Sequence, residues 1–430
     1  MGRCEIPRAA GAGVGAGPRR QRRPMRLVTV LAALATLLPA MVVPTMAHAA
    51  TGWWQDTFVP LERESFPRLK PAYCDREVRR VPSAKYPSIE SALTGLRPRT
   101  KVVVSAGEYR ENTDEWFALR LATDRVCLVA RGRVTVRSKG QKYGLLLSGS
   151  RVHVSGLRLT GFEVGVSLGR DDSRTQRRVT LTGMRIAART TGWSEGVVAY
   201  PDHRDSGRPV LDGLLLSDVR LRHVVMGVSC NAGPCWHLRL NRVSVRARGG
   251  VGESGADAIA VESGRQVVVT GGEVSGAGGD GIDIKGSDVL VRGTTVRAAR
   301  NGVKLWQGGD VQGVRLLGTG ADAALVGDGA GRYRYRDIVV RRHDPGGNGY
   351  VGTWGYDSQA GIRLQIEDSE FADNASGGLY VPSSASIWLV GNRFADVGTK
   401  LLDVGGEVLP NTAAGLRRLE QSGWGRNNRQ

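Results

Sequence analysis
The chain has 430 residues, with 60 Lys and Arg against 41 Asp and Glu, a formal charge of +19 and 41% hydrophobic residues. Beyond one apolar run near the N-terminus, no segment is apolar for long enough to span a membrane, so stable membrane insertion is not expected once that run is removed. The basic balance favours polyanions without choosing among nucleic acid, acidic glycan and cell envelope, and with 52 arginines to 8 lysines it also fits a bias in genomic composition.

Residues 1–24 are rich in Gly and Arg and carry no structural pattern, so Met25 is an alternative start. From Met25 a basic start, an apolar run from Leu27 to Val43 and the small-x-small sequence Ala47-His48-Ala49 read as a secretory signal peptide spanning 1–49. The arginines at 19, 20, 22 and 23 lack the surrounding motif of a twin-arginine signal. Removing 1–49 takes away seven arginines and one glutamate and lowers the charge to +13. A secreted, extracellular location makes acidic polysaccharide the expected partner and nucleic acid not.

Residues 50–100, with Trp53, Trp54 and several prolines, read as an N-terminal cap, in which Tyr86 to Leu93 supplies a short helix closing the end of a solenoid. A cap is needed because an open coil end exposes apolar ladders and unpaired strand edges.

Residues 101–410 hold a repeat of small, apolar, variable and apolar residues. It occurs as Gly165-Val166-Ser167-Leu168, Gly196-Val197-Val198-Ala199, Gly227-Val228-Ser229-Cys230, Ala258-Ile259-Ala260-Val261, Gly281-Ile282-Asp283-Ile284, Gly302-Val303-Lys304-Leu305 and Gly378-Leu379-Tyr380-Val381. The first three intervals are 31 residues and the next two 23 and 21, which marks coils of about 22 residues with loop insertions. A second strand signature runs alongside, as in Val152-x-Val154-x-x-Leu157-x-Leu159 and Leu238-x-Leu240-x-x-Val243-x-Val245. Alternation with period two and Gly, Asn, Asp or Ser at the interruptions predicts short strands joined by tight turns. One coil cannot bury its own apolar side, so stacked coils are expected to form a single-stranded parallel β-helix of roughly a dozen coils, all-β and monomeric; the pattern does not set its hand, and right-handed is expected only because secreted bacterial proteins with coils of this length usually take that form. Residues 411–430 read as a polar tail with room for a short helix through Leu416 to Leu419.

Cys74, Cys127, Cys230 and Cys235 remain after export, an even number that predicts disulfides Cys74–Cys127 and Cys230–Cys235. No histidine lies at ligand spacing from either pair, and His153, His203, His223, His237 and His343 show no catalytic spacing.

With the repeat in register, its variable position reads Ser167, Val198, Ser229, Ala260, Asp283, Lys304, and two residues on it reads Gly169, Tyr200, Asn231, Glu262, Lys285, Trp306. Both columns are expected to face outward. A third column, Asp257, Asp280 and Asn301, sits at a coil corner. Strands about 4.8 Å apart place Asp283 beside Lys304 and Lys285 beside Trp306. Three carboxylates on a concave face suit a hard cation such as calcium, and a cation there would disfavour the ammonium form of Lys304, freeing it as a base. Plainer roles are open: an ion pair for Asp283 and Lys304, turns for Asp257 and Asp280. Trp306 is a candidate sugar platform, with Tyr200, Tyr380 and Trp354 as further groove aromatics. Glu262, Lys285 and Arg300 are candidate substrate contacts, and Arg292 and Arg297 weaker ones.

The segments ADAIA from Ala256, GDGID from Gly279 and NGVKL from Asn301 resemble the calcium-binding and catalytic segments of the family 9 pectate lyases, which share the pectin-lyase fold of right-handed parallel β-helices. The resemblance implies β-elimination on a uronate polymer, with Asp257, Asp280 and Asp283 as Ca2+ ligands and Lys304 as base. The family pattern carries a further aspartate where this chain has Gly279, so the expected cation site is one carboxylate short. Two alternatives stand beside it: a polygalacturonase-type glycoside hydrolase, although no Gly-His-Gly follows GDGID, and a glycan- or envelope-binding solenoid without turnover.

Overall fold
The small residue that opens each repeat is small because of what stacks on it. A Cβ at Gly196 would lie 2.4 Å from the Gly227 carbonyl oxygen, and one at Gly281 would lie 2.4 Å from the Val296 side chain. Each glycine thus lets its coil close onto the next coil's backbone and onto the opposite wall, while the two apolar residues after it fill the interior. In the computed structural model, which describes residues 74–111, 116–169, 174–199, 208–231, 233–249, 256–320, 323–344, 350–355, 361–375 and 377–430, this produces a parallel β-solenoid of about 12 turns. The expected signal segment, the cap region through residue 73, Tyr200 and His203 lie outside those residues.

Each coil contributes strands to three ladders. The first runs through Val164–Leu168, Glu195–Ala199, Met226–Cys230, Ile259–Thr270, Ile282–Arg292 and Val303–Leu305, and on to Lys400–Val404. Its registers are those the repeat predicts: Ser167 pairs with Val198, Val198 with Ser229, Ser229 with Ala260, Ala260 with Asp283 and Asp283 with Lys304. The second ladder carries the other strand signature, as in Leu211–Ser217 against Cys235–Asn241, and the third holds the short strands after the turn, as in Arg185–Ala187 against Arg220–Val224. One continuous core of Val, Ile and Leu fills the interior from Val81 to Leu419. Both expected disulfides are formed. Among the described residues, no helix is long and apolar enough to cross a membrane.

Three features differ from the sequence reading. The variable column was expected to face outward, yet Ser167, Val198, Ser229, Ala260 and Asp283 are all buried; Val225, Met226 and Ala256 form a small apolar cluster with Ala260. Trp354 is no groove aromatic: it is fully buried, its ring taking the space that side chains at Gly327 and Gly352 would fill. Residues 413–421 form a full helix capped by Thr412, whose Oγ1 accepts from the Gly415 N–H at 3.1 Å, and Leu416 and Leu419 bury against the last coils. A second, short helix, Ile89–Leu93, forms where expected, with a reciprocal Ser88–Ser91 capping box and Ile89, Ala92 and Leu93 in the core.

Candidate active site
The charged repeats lie on adjacent strands of the first ladder, and the corner residues tie those coils together. Asp257 Oδ1 accepts the Asp280 backbone N–H at 2.7 Å, Asp280 Oδ1 accepts Asn301 Nδ2 at 2.6 Å, and Asn301 Oδ1 accepts the Ala323 N–H at 2.9 Å. The third carboxylate, Asp283, projects from the strand beside Lys304, and its Oδ1 accepts Trp306 Nε1 at 2.7 Å. Each aspartate is therefore held by a hydrogen bond from the following coil. These bonds join successive coils and aim Asp257 and Asp280.

One oxygen from each of Asp257, Asp280 and Asp283 lies within 4.8 Å of the others. Two oxygens bound to one calcium at 2.3–2.6 Å can be at most about 5 Å apart, so the three fit a single shared cation. Asp280 and Asp283 are 9% and 5% exposed. Burial and then the Asp280 and Asp257 charges push Asp283 up to about 7, against the Trp306 hydrogen bond and the Lys304 charge. Burial and then the Asp280 charge push Asp257 up to about 6. Carboxyls raised in this way beside a third carboxylate form an environment that a divalent cation would relieve.

Gly279 lies against the Asp257 carboxylate. A Cβ at 279 would lie 2.4 Å from Asp257 Oδ1 and 3.1 Å from the Ala256 nitrogen. The space that a side chain at 279 would need is where the Asp257 carboxylate sits.

Lys304 is half-buried, and its ion-pair partner is not the neighbouring Asp283 but Asp328, at 3.7 Å. Its Nζ also lies 4.3 Å from the centre of the Trp306 ring. Lys285, 4.8 Å from the same ring, donates to Glu262 Oε2 at 2.5 Å. Burial alone would lower Lys285, but the Glu262 hydrogen bond and the surrounding carboxylates outweigh it and hold it raised. Trp306 therefore has two ammonium groups close to its half-buried ring and Asp283 on its Nε1. Arg300 is half-buried at the corner, its N–H donating to the Gly279 carbonyl at 2.9 Å. Arg297 pairs with Glu273 and Arg292 is exposed.

Asp328, 4% exposed, is the member of the site that the repeat did not show. It follows Leu325–Gly327, where glycine stands in an apolar position of the frame, so this coil does not match the pattern. Three of the histidines have structural settings: His237 Nδ1 lies 2.6 Å from Asp212, His343 Nδ1 3.0 Å from Thr319 Oγ1, and His153 is held low, mainly by burial.

No family model and no curated protein matches the chain. Solved structures do. The A-module of a mannuronan C-5 epimerase from Azotobacter vinelandii is similar at 13% identity, over 71% of this chain and 85% of that one, with a TM-score of 0.34. The catalytic domain of a GH87 alpha-1,3-glucanase in complex with tetrasaccharides is similar at 12% identity, over 84% and 70%, with a TM-score of 0.41. The same kind of domain in complex with nigerose gives 13%, the same shares of the two chains and 0.40. Superpositions this loose carry no information on the reaction, and the likeness to family 9 pectate lyases stays confined to the three segments that show it.

Proposed function
We propose that the protein is an exported, cation-dependent lyase acting on a uronate-containing polysaccharide. The observation that carries this reading is the convergence, within 4.8 Å, of one oxygen each from Asp257, Asp280 and Asp283, with Asp283 in register with Lys304 on the adjacent strand. Calcium held by those three residues would bind the substrate carboxylate and make the proton on the adjacent carbon more acidic. Lys304 Nζ takes that proton. The electron pair left behind forms a carbon–carbon double bond, and the glycosidic oxygen on the next carbon leaves, gaining a proton from water. Asp328, 3.7 Å away, faces the charge that Lys304 gains, and Trp306 keeps the amine over its ring and Asp283 in its orientation. Lys285 and Arg300 are the basic groups for further substrate carboxylates, with Glu262 holding Lys285 in place.

One observation favours a second reading. Carboxyls near 6 and 7 hold protons close to neutrality, which a glycoside hydrolase would use as its general acid. A panel of uronate polymers, each with calcium and with chelator, separates the two. The lyase yields unsaturated uronate ends absorbing near the ultraviolet edge, and loses them on chelation; new reducing ends without unsaturation and indifferent to chelator establish the hydrolase. Retained binding with no product from any polymer establishes a binding protein instead.

A further inference from the structure
The third ladder carries a charge pattern with no part in the site above. In its outward column Arg158 is in register with Arg185 and Arg185 with Arg220, three arginines on consecutive coils. One position further along, Arg222 is in register with Arg246. Strands about 4.8 Å apart force these guanidinium groups into a like-charge ladder, an arrangement that opposes folding. Burial, then Arg185 and Arg133, lower the pKa of Arg158.

Elsewhere on the same ladder the arginines are neutralised: Arg297 by Glu273 at 3.0 Å, and Arg341 and Arg393 by Glu370 at 2.8 and 3.0 Å. Among the described residues, none of Arg133, Arg158, Arg185, Arg220 and Arg222 forms an ion pair. All but the half-buried Arg158 are exposed. They line a shallow trough of about 580 Å³ along the solenoid axis. Its one carboxylate, Glu108, is engaged at the end by Arg137 at 3.0 Å and Arg110 at 3.6 Å.

We propose that this arginine trough binds a linear polyanionic glycan, on a face separate from the carboxylate and lysine cluster. An unpaired guanidinium on each consecutive coil matches a polymer bearing one anion per sugar, because each planar fork takes a carboxylate or sulfate through two parallel N–H bonds. A single-stranded nucleic acid fits less well: such strands are held by stacking on aromatic rings as well as by charge, and no aromatic side chain lines the trough. The trough would hold a long polymer against the solenoid whether or not the other face cuts it.

The test measures the affinity of the full chain carrying Lys304→Ala for immobilised polygalacturonate. That background keeps the polymer intact if Lys304 is the base, and the eluted polymer is checked for new ends in every case, so a loss of binding here is distinguishable from failure of the lyase reading. Combining Arg158→Gln, Arg185→Gln and Arg220→Gln is expected to weaken binding by about tenfold or more at low salt. The matching triple Arg→Lys variant, which keeps the charge and loses the two-bond fork, should keep only part of it, with circular dichroism unchanged in both and the melt of the Gln variant no lower than the parent's. Dextran sulfate in place of polygalacturonate shows whether sulfate serves as well as carboxylate, and weakening of either by the Gln variant supports the trough. Three results overturn the proposal: no binding by the parent protein, equal binding by the triple Gln variant, or a single-stranded DNA oligomer bound more tightly than both glycans through the same arginines.

Discussion

Raising the pH from 5 to 8 should destabilise the protein in chelator and should not do so in calcium. Asp283 has a carboxyl at about 7 in the folded chain against 3.8 for the ordinary group, and Asp257 one at about 6. Between the unfolded and folded values the native state binds more protons than the unfolded state, so stability falls as pH rises through that window. For Asp283 the shift is worth about 4 kcal/mol once pH exceeds 7. Because Asp257 and Asp283 each raise the other, that figure sets the scale for the cluster and the two are not summed. In a solenoid of this length about 4 kcal/mol moves the apparent melting midpoint by on the order of 5 °C. A bound divalent cation takes the place of the protons, so saturating calcium should flatten the profile and stabilise more at pH 8 than at pH 5. Differential scanning fluorimetry from pH 5 to 8, with chelator or millimolar calcium, reads this directly. Asp283→Asn, which cannot ionise, should reduce the pH dependence and lose most of the calcium response. A flat profile for the parent protein in chelator, or an equal calcium effect in Asp283→Asn, would mean that the cluster neither stores protons at neutrality nor holds the cation.

Other consequences are as specific. Gly279→Asp, which restores the residue of the lyase pattern, should displace the Asp257 carboxylate and weaken calcium binding by about tenfold or more in titration calorimetry; tighter binding would mean that the site has room for a fourth carboxylate. Trp306→Phe keeps a ring for the two lysines and removes the bond to Asp283 Oδ1, so the Asp283 carboxyl should rise above about 7, seen by NMR titration, and turnover should fall by about tenfold or more. An Asp283 titration unmoved by Trp306→Phe would remove the positioning role of the indole. Trp354→Ala should cost about 3–5 kcal/mol in urea unfolding, since it empties the space over Gly327 and Gly352; a loss under about 1 kcal/mol would show that the coils collapse into that space.

The repeat made the solenoid legible because its physical cause is local. A small residue where backbones meet and two apolar residues facing inward leave the same trace in each coil, and Gly165, Gly196, Gly227, Gly281 and Gly302 all close against the coil that follows them. The juxtaposition of Asp283 and Lys304 was readable for the same reason, since register alone decides it. What stayed hidden depends on contacts between coils. Asp328 follows a coil whose apolar position is glycine because an indole from the next coil fills it, so Gly327 and Trp354 make sense only together. The contact of Gly279 with the Asp257 carboxylate was hidden because the sequence does not show which way that side chain folds. The buried variable column from Ser167 to Asp283 was missed because alternation tells which side of a strand a residue takes, and not what covers that side. The C-terminal helix was read only as a short one through Leu416 to Leu419 in a polar tail, because the close approach of Gly415 to Pro410 at its start is not visible in the sequence.

The proposed function stands on one step, the removal by Lys304 of a proton from a uronate held at the Asp257, Asp280 and Asp283 cluster. The most direct measurement is the rate at which unsaturated product accumulates from a uronate polymer in calcium, for the parent chain and for Lys304→Ala. Loss of the basic amine should lower that rate by about 100-fold or more, with calcium affinity unchanged. A Lys304→Ala protein that forms unsaturated product at the parent rate would contradict the mechanism outright.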